Sequence, residues 1–145
     1  MRKGTWILAT VLTIALGAGL ACDGDSTGTN GGNGGPVPGS LIVSLTTPNT
    51  DDGAVQLTVS GGTIDGVSLA TGTGYRFFSH ESSATSFSII VAGDIAAGPL
   101  ASISVPDVNA ADSYSAALVA VADRSNQIVS PTTGYALTVT TATAQ

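Results

Sequence analysis

The chain has 145 residues, a formal net charge of −6, 43% hydrophobic side chains and only 10% charged ones. An acidic balance without a basic stripe excludes a nucleic-acid partner, because phosphate recognition needs clustered Lys and Arg, and it disfavours adhesion to anionic lipid headgroups. One cysteine and one histidine exclude a disulfide framework and leave no Cys/His set for zinc.

Residues 1–21 have three parts. Met1-Arg2-Lys3 is a short positive segment, Trp6–Leu16 is uncharged and mostly apolar, and Gly17–Ala21 is built mainly of small residues. This is the layout of a secretory signal peptide. The apolar run is also close to the length of a membrane span, so an uncleaved anchor is the alternative. Gly19-Leu20-Ala21-Cys22 resembles the lipobox of bacterial lipoproteins, with Gly19 where leucine is usual. The resemblance implies cleavage before Cys22 and acylation of its thiol and new amine. It places the rest of the chain at the cell envelope, anchored to a bacterial membrane that the sequence does not specify. Lipidation would also remove the oxidation liability of a lone exported thiol, and more than one acyl chain gives stable anchoring. An ordinary signal peptidase would accept the same bond, with plain secretion as the result.

Residues 22–39 read as the acylated cysteine and its tether. The 17 residues Asp23–Gly39 contain one aliphatic side chain, Val37, so burial offers nothing against the entropy of ordering them. As a coil such a tether averages roughly 20–25 Å end to end. No Gly-Lys-Ser/Thr follows the glycines, so a phosphate loop is excluded.

Residues 40–145 form the expected folded domain. With Arg2 and Lys3 removed by export, its cations are Arg76 and Arg124, and no lysine is left. Period-two alternation marks strands at Leu41/Val43/Leu45, Val55/Leu57/Val59, Phe87/Ile89/Val91, Ala101/Ile103/Val105 and Tyr135/Leu137/Val139. Val67-Ser68-Leu69 and Tyr75–His80 are shorter strand candidates. Tyr114–Ala122 is apolar on both faces, with Tyr114/Ala116/Leu118/Ala120 on one and Ala117/Val119/Val121 on the other, which suits a central strand, although its alanines would also tolerate a helix. Turn residues separate the runs at Pro48–Gly53, Gly61-Gly62, Gly72–Gly74, Gly93-Asp94, Pro106-Asp107 and Asp123–Asn126. The expectation is an all-β antiparallel sandwich of seven or eight strands. Within Leu100–Val129, a strand, a short acidic loop, Tyr114-Ser115-Ala116-Ala117-Leu118-Val119 and an Ala122-Asp123-x-x-Asn126 turn resemble the closing strands of cohesin-like and bacterial immunoglobulin-like sandwiches. That resemblance implies the fold and no particular ligand.

Three groups of side chains are candidate sites. His80, the sole histidine, has no Gly-x-Ser-x-Gly nucleophile turn to serve and reads as the polar end of a strand. Asn49, Asp51 and Asp52 before Gly53 offer oxygen ligands suited to calcium, but an Asx-Gly cluster is also what a turn requires for its own backbone. The turn is the preferred reading. Arg76, Phe78 and His80 share one face of a strand, opposite Tyr75, Phe77 and Ser79. With Tyr75 and Phe77 inward, they form a candidate interaction strip of the residue types that anchor interfaces. The expected function is that of a non-enzymatic, lipid-anchored adhesion, scaffold or protein-binding module without cofactor, its partner an envelope protein or glycan. The alternatives are a small envelope hydrolase using loop carboxylates and a structural surface component.

Overall fold

Alternation of aliphatic and hydroxyl side chains buries one face of each main strand and wets the other, and two such sheets close on each other. The computed structural model describes residues 35–142. The signal segment, Cys22 and most of the glycine-rich stretch lie outside the described residues. Eight strands follow in order: β1 Gly39–Thr46, β2 Asp52–Ser60, β3 Gly66–Leu69, β4 Arg76–Ser83, β5 Ser86–Ile95, β6 Gly98–Val105, β7 Ser115–Asp123 and β8 Ala136–Thr141. A short 3-10 segment, Val108–Ser113, joins β6 to β7. One sheet has the order β3-β6-β1-β8 and the other β4-β5-β2-β7, with every pairing antiparallel. The fold is a β-sandwich.

Most of the core is marked by the alternation: Leu41, Val43 and Leu45; Val55, Leu57 and Val59; Phe87, Ile89 and Val91; and Ala101, Ile103 and Val105 are all buried in one cluster, with Tyr135, Leu137 and Val139 partly buried against it. Each large aliphatic side chain so buried contributes roughly 1.5–3 kcal/mol.

Register shifts interrupt the ladders at Val43/Ser44, Asp52/Ala54, Gln56/Leu57 and Glu81/Ser83, and two of them bear on the core. Val43 pairs with Ala101 and Ser44 with Pro99, so Leu100 is an extra residue, and both Leu100 and Ala101 are fully buried. In β7, Leu118 faces Leu57 while Ala120 faces Gln56, which makes Val119 the extra residue. An inserted residue moves everything beyond it to the opposite face. Val121 is therefore buried at 1% exposure and Val119 is 55% exposed. This corrects the expected placement of Val119 and Val121 on one face. It also corrects the expected central strand, because β7 is an edge of its sheet.

Only β4 and β5 are consecutive strands paired as a hairpin; the other connections cross between sheets. One end of the sandwich collects the loops 47–51, 70–75, 96–97 and 124–135. The other collects 61–65, 84–85, 106–114 and both limits of the described chain. At this second end Asp107 Oδ1 accepts the backbone N–H groups of Asn109 and Val37 at 3.0 and 3.1 Å. The Val37 carbonyl accepts Val108 N–H at 2.8 Å, so the incoming chain is clamped just before β1. Those two N–H donors hold the Asp107 carboxyl below the usual aspartate value. Nearby, a Cβ at Gly61 would lie 2.1 Å from the Ser113 carbonyl oxygen, so only glycine lets the β2–β3 turn approach the start of β7.

Candidate functional site: the outer face of the β4-β5-β2-β7 sheet

The two solvent faces of the sandwich differ. On the β3-β6-β1-β8 sheet the outward rows read Ser68–Ser102–Ile42–Thr140 and Gly66–Ser104–Ser40, a surface largely of hydroxyls. On the other sheet the central row is Phe78–Ile90–Gln56–Ala120. It is flanked by Arg76–Ala92–Ala54–Ala122 on the side of the 47–51 loop and by His80–Ser88–Thr58–Ala117 on the other. Phe78 is 60% exposed, Ile90 41% and Val119 55%. Ile128, 70% exposed, lengthens the same surface because it bridges Ala122 beside β7. Three of the five exposed large hydrophobic side chains among the described residues, Phe78, Ile90 and Ile128, therefore lie on one face, and Val119 is exposed at the bulge of its edge strand. A shallow hollow of about 190 Å³ runs between Ile90, Gln56, Ala120 and Ile128. No Asp or Glu occupies an outward position of these rows.

Strand β4 places the sequence trio here. Phe77 pairs with the fully buried Val91, and it packs with Tyr75 against the core. Arg76, Phe78 and His80 are consequently turned outward and exposed. The described residues hold one ion pair, Arg124 with Asp94, so Arg76 has no carboxylate partner among them. Sequence reasoning did not select Ile90, Val119 or Ile128. Ile90 breaks the serine register of β5 and was the available signal. The other two reach the surface through the β7 bulge and the β7–β8 connection.

The candidate calcium residues are spread over two environments. Asp52 is fully buried; its Oδ2 accepts Thr47 Oγ1–H and its Oδ1 accepts the Tyr135 hydroxyl, both at 2.6 Å. Asn49 Nδ2 donates to the Tyr135 oxygen at 2.8 Å. Burial, then the bond to Asp52, pushes the Tyr135 phenol above its ordinary value. Asp51 is exposed, and its carbonyl accepts Arg124 N–H at 2.9 Å. The arrangement acts as a polar plug that ties β8 and the β1–β2 loop to the start of β2. Among the described residues no three His, Cys, Asp or Glu side chains gather as a metal would require.

Other loop carboxylates are engaged locally. Asp123 Oδ1 accepts the N–H groups of Ser125 and Gln127, each at 2.8 Å. Asp94 pairs with Arg124, whose guanidinium also donates to the Thr50 carbonyl at 2.8 Å. Two open hollows of about 460 and 430 Å³ flank this ion pair. No helix among the described residues is long and apolar enough to cross a membrane. No protein-family model, curated protein or solved structure matches the chain.

Proposed function

We propose that this protein is a lipid-anchored module of the bacterial cell envelope that binds a protein partner, without catalysis, through the outer face of the β4-β5-β2-β7 sheet. The observation that carries the reading is the concentration of Phe78, Ile90 and Ile128, beside Arg76, on one face whose strand rows hold no Asp or Glu. Contiguous apolar surface of this kind, with aromatic and arginine side chains, is characteristic of interaction sites. Cys22, behind a glycine-rich tether, supports attachment to a membrane with enough slack for the domain to meet a partner.

Capture from envelope extracts by the full chain, compared with its Arg76→Ala/Phe78→Ala variant, tests the reading. A partner retained by the parent and lost by the variant supports it; equal capture by both removes the face from consideration. A hydrolase working at the Asp94–Arg124 end is the rival. It would show turnover of a glycan or ester substrate that Asp94→Asn abolishes.

A further inference from the structure

We propose that the free edge of β4 receives an extended segment of the partner protein as a fifth strand of its sheet. That segment would carry a carboxylate opposite Arg76 and an aliphatic side chain against Phe78. The proposal rests on the reading above and specifies the form and chemistry of the partner.

The four sheet edges are not equivalent. Natural edges are blunted by shortness, proline, lysine or bulges. The β3 edge is only four residues long. The β7 edge is bulged at Val119 and covered near its end by Gln127–Val129, through Asp123 N–H to the Gln127 carbonyl and Val129 N–H to the Val121 carbonyl, each 2.9 Å. The β8 edge presents only Ala136, Thr138 and Thr140 on its outward side. Strand β4 has no proline or lysine and keeps unbroken register with β5 over the six residues Arg76–Glu81; its blunting devices, the inward-side Glu81 opposite Phe87 and a bulge at Ser82, are confined to its far end and leave Arg76–His80 open. Its unpaired side keeps main-chain donors and acceptors that an added strand would satisfy.

Specificity comes from the outward side chains. Residues directly opposite on an added antiparallel strand lie about 4.5–5.5 Å away between Cβ atoms, so Arg76, Phe78 and His80 would each meet one partner side chain. Arg76 has no carboxylate partner among the described residues, and the outward rows hold none either. An acidic residue on the incoming strand supplies the missing charge. A second copy pairing antiparallel through β4 would bring no carboxylate to the outward rows, which is why a different chain is assigned.

The test uses the full chain in detergent and an acetylated, amidated peptide, Thr-Val-Thr-Val-Thr-Glu, at millimolar concentration. Hydrogen exchange should slow at the β4 amides, and affinity should fall about two- to fivefold when the peptide's Glu becomes Gln. Arg76→Gln should abolish that difference while keeping the protection. Ser79→Lys, which sets a charge on the inward side of the edge, should abolish both. Absence of protection on β4, or equal protection by a peptide N-methylated at alternate residues, would overturn the proposal. So would a dimer in sedimentation that Ser79→Lys dissolves. Capture of an envelope partner that needs Phe78 but tolerates Ser79→Lys would leave the face as the binding site and eliminate strand addition alone.

Discussion

Asp52 is the only charged side chain fully buried among the described residues, and its two hydroxyl donors make its burial tolerable. Removing the Tyr135 hydroxyl leaves Asp52 Oδ1 without its donor and Asn49 Nδ2 without its acceptor. Tyr135→Phe should therefore lower unfolding stability by about 1–3 kcal/mol, measured by urea titration. Tyr75→Phe loses only an exposed 3.2 Å contact from Ala96 N–H and should change stability by less than about 0.5 kcal/mol. The phenol of Tyr135 is raised above its ordinary value, so its contribution is complete below about pH 10 and is lost as pH rises through the raised value. Stability of the parent should thus fall more steeply in alkali than that of Tyr135→Phe. The same geometry bears on calcium, since the Asp52 oxygens are taken up by hydroxyls. Millimolar calcium is expected to leave the melting temperature unchanged. A rise that Asp51→Ala abolishes would assign a cation site there.

At the level of the strand, alternation made most of the fold legible, because one side of each sheet is dry and the period-two pattern of Leu41–Leu45 or Val55–Val59 records which. What alternation does not record is a bulge. Leu100 and Val119 are each one residue too many, and nothing in their own side chains announces it; the partner strand sets the register. The same limit applied to the candidate site. Arg76, Phe78 and His80 were readable from a single strand, whereas their alignment with Ile90 and Gln56 is a property of pairing. Edge position was also unreadable for β7, whose alanines and valines suit a buried strand equally well. The bulge predicts a sharp contrast between two valines two residues apart. Val121→Ala should cost about 2 kcal/mol through lost burial and the cavity left, while Val119→Ala should stay within about 0.5 kcal/mol. Equal losses would show that the two side chains share one environment.

For the whole molecule, the decisive measurement on attachment is the intact mass of protein extracted from membranes. It should lack residues 1–21 and carry acyl mass on Cys22; an unmodified thiol on soluble mature protein would remove the anchor. Where the chain enters the domain, the Asp107 carboxyl is held below its usual value by two N–H donors. Its hold on Val37 is therefore complete above about pH 3.9 and weakens as pH falls through the depressed value. The protection of the Val37 amide, measured against the free-peptide exchange rate at the same pH, should fall in acid before the core opens. The order of strands has a consequence in time. Strand β1 pairs with both β6 and β8, so the first strand to leave the ribosome waits for the sixth and the last before its sheet is whole. With one local hairpin, β4–β5, the chain has little to fold early, and folding in about milliseconds to seconds is expected. A nascent chain halted before Ala136 should remain protease-sensitive throughout, and gain resistance in a single step once β8 is released.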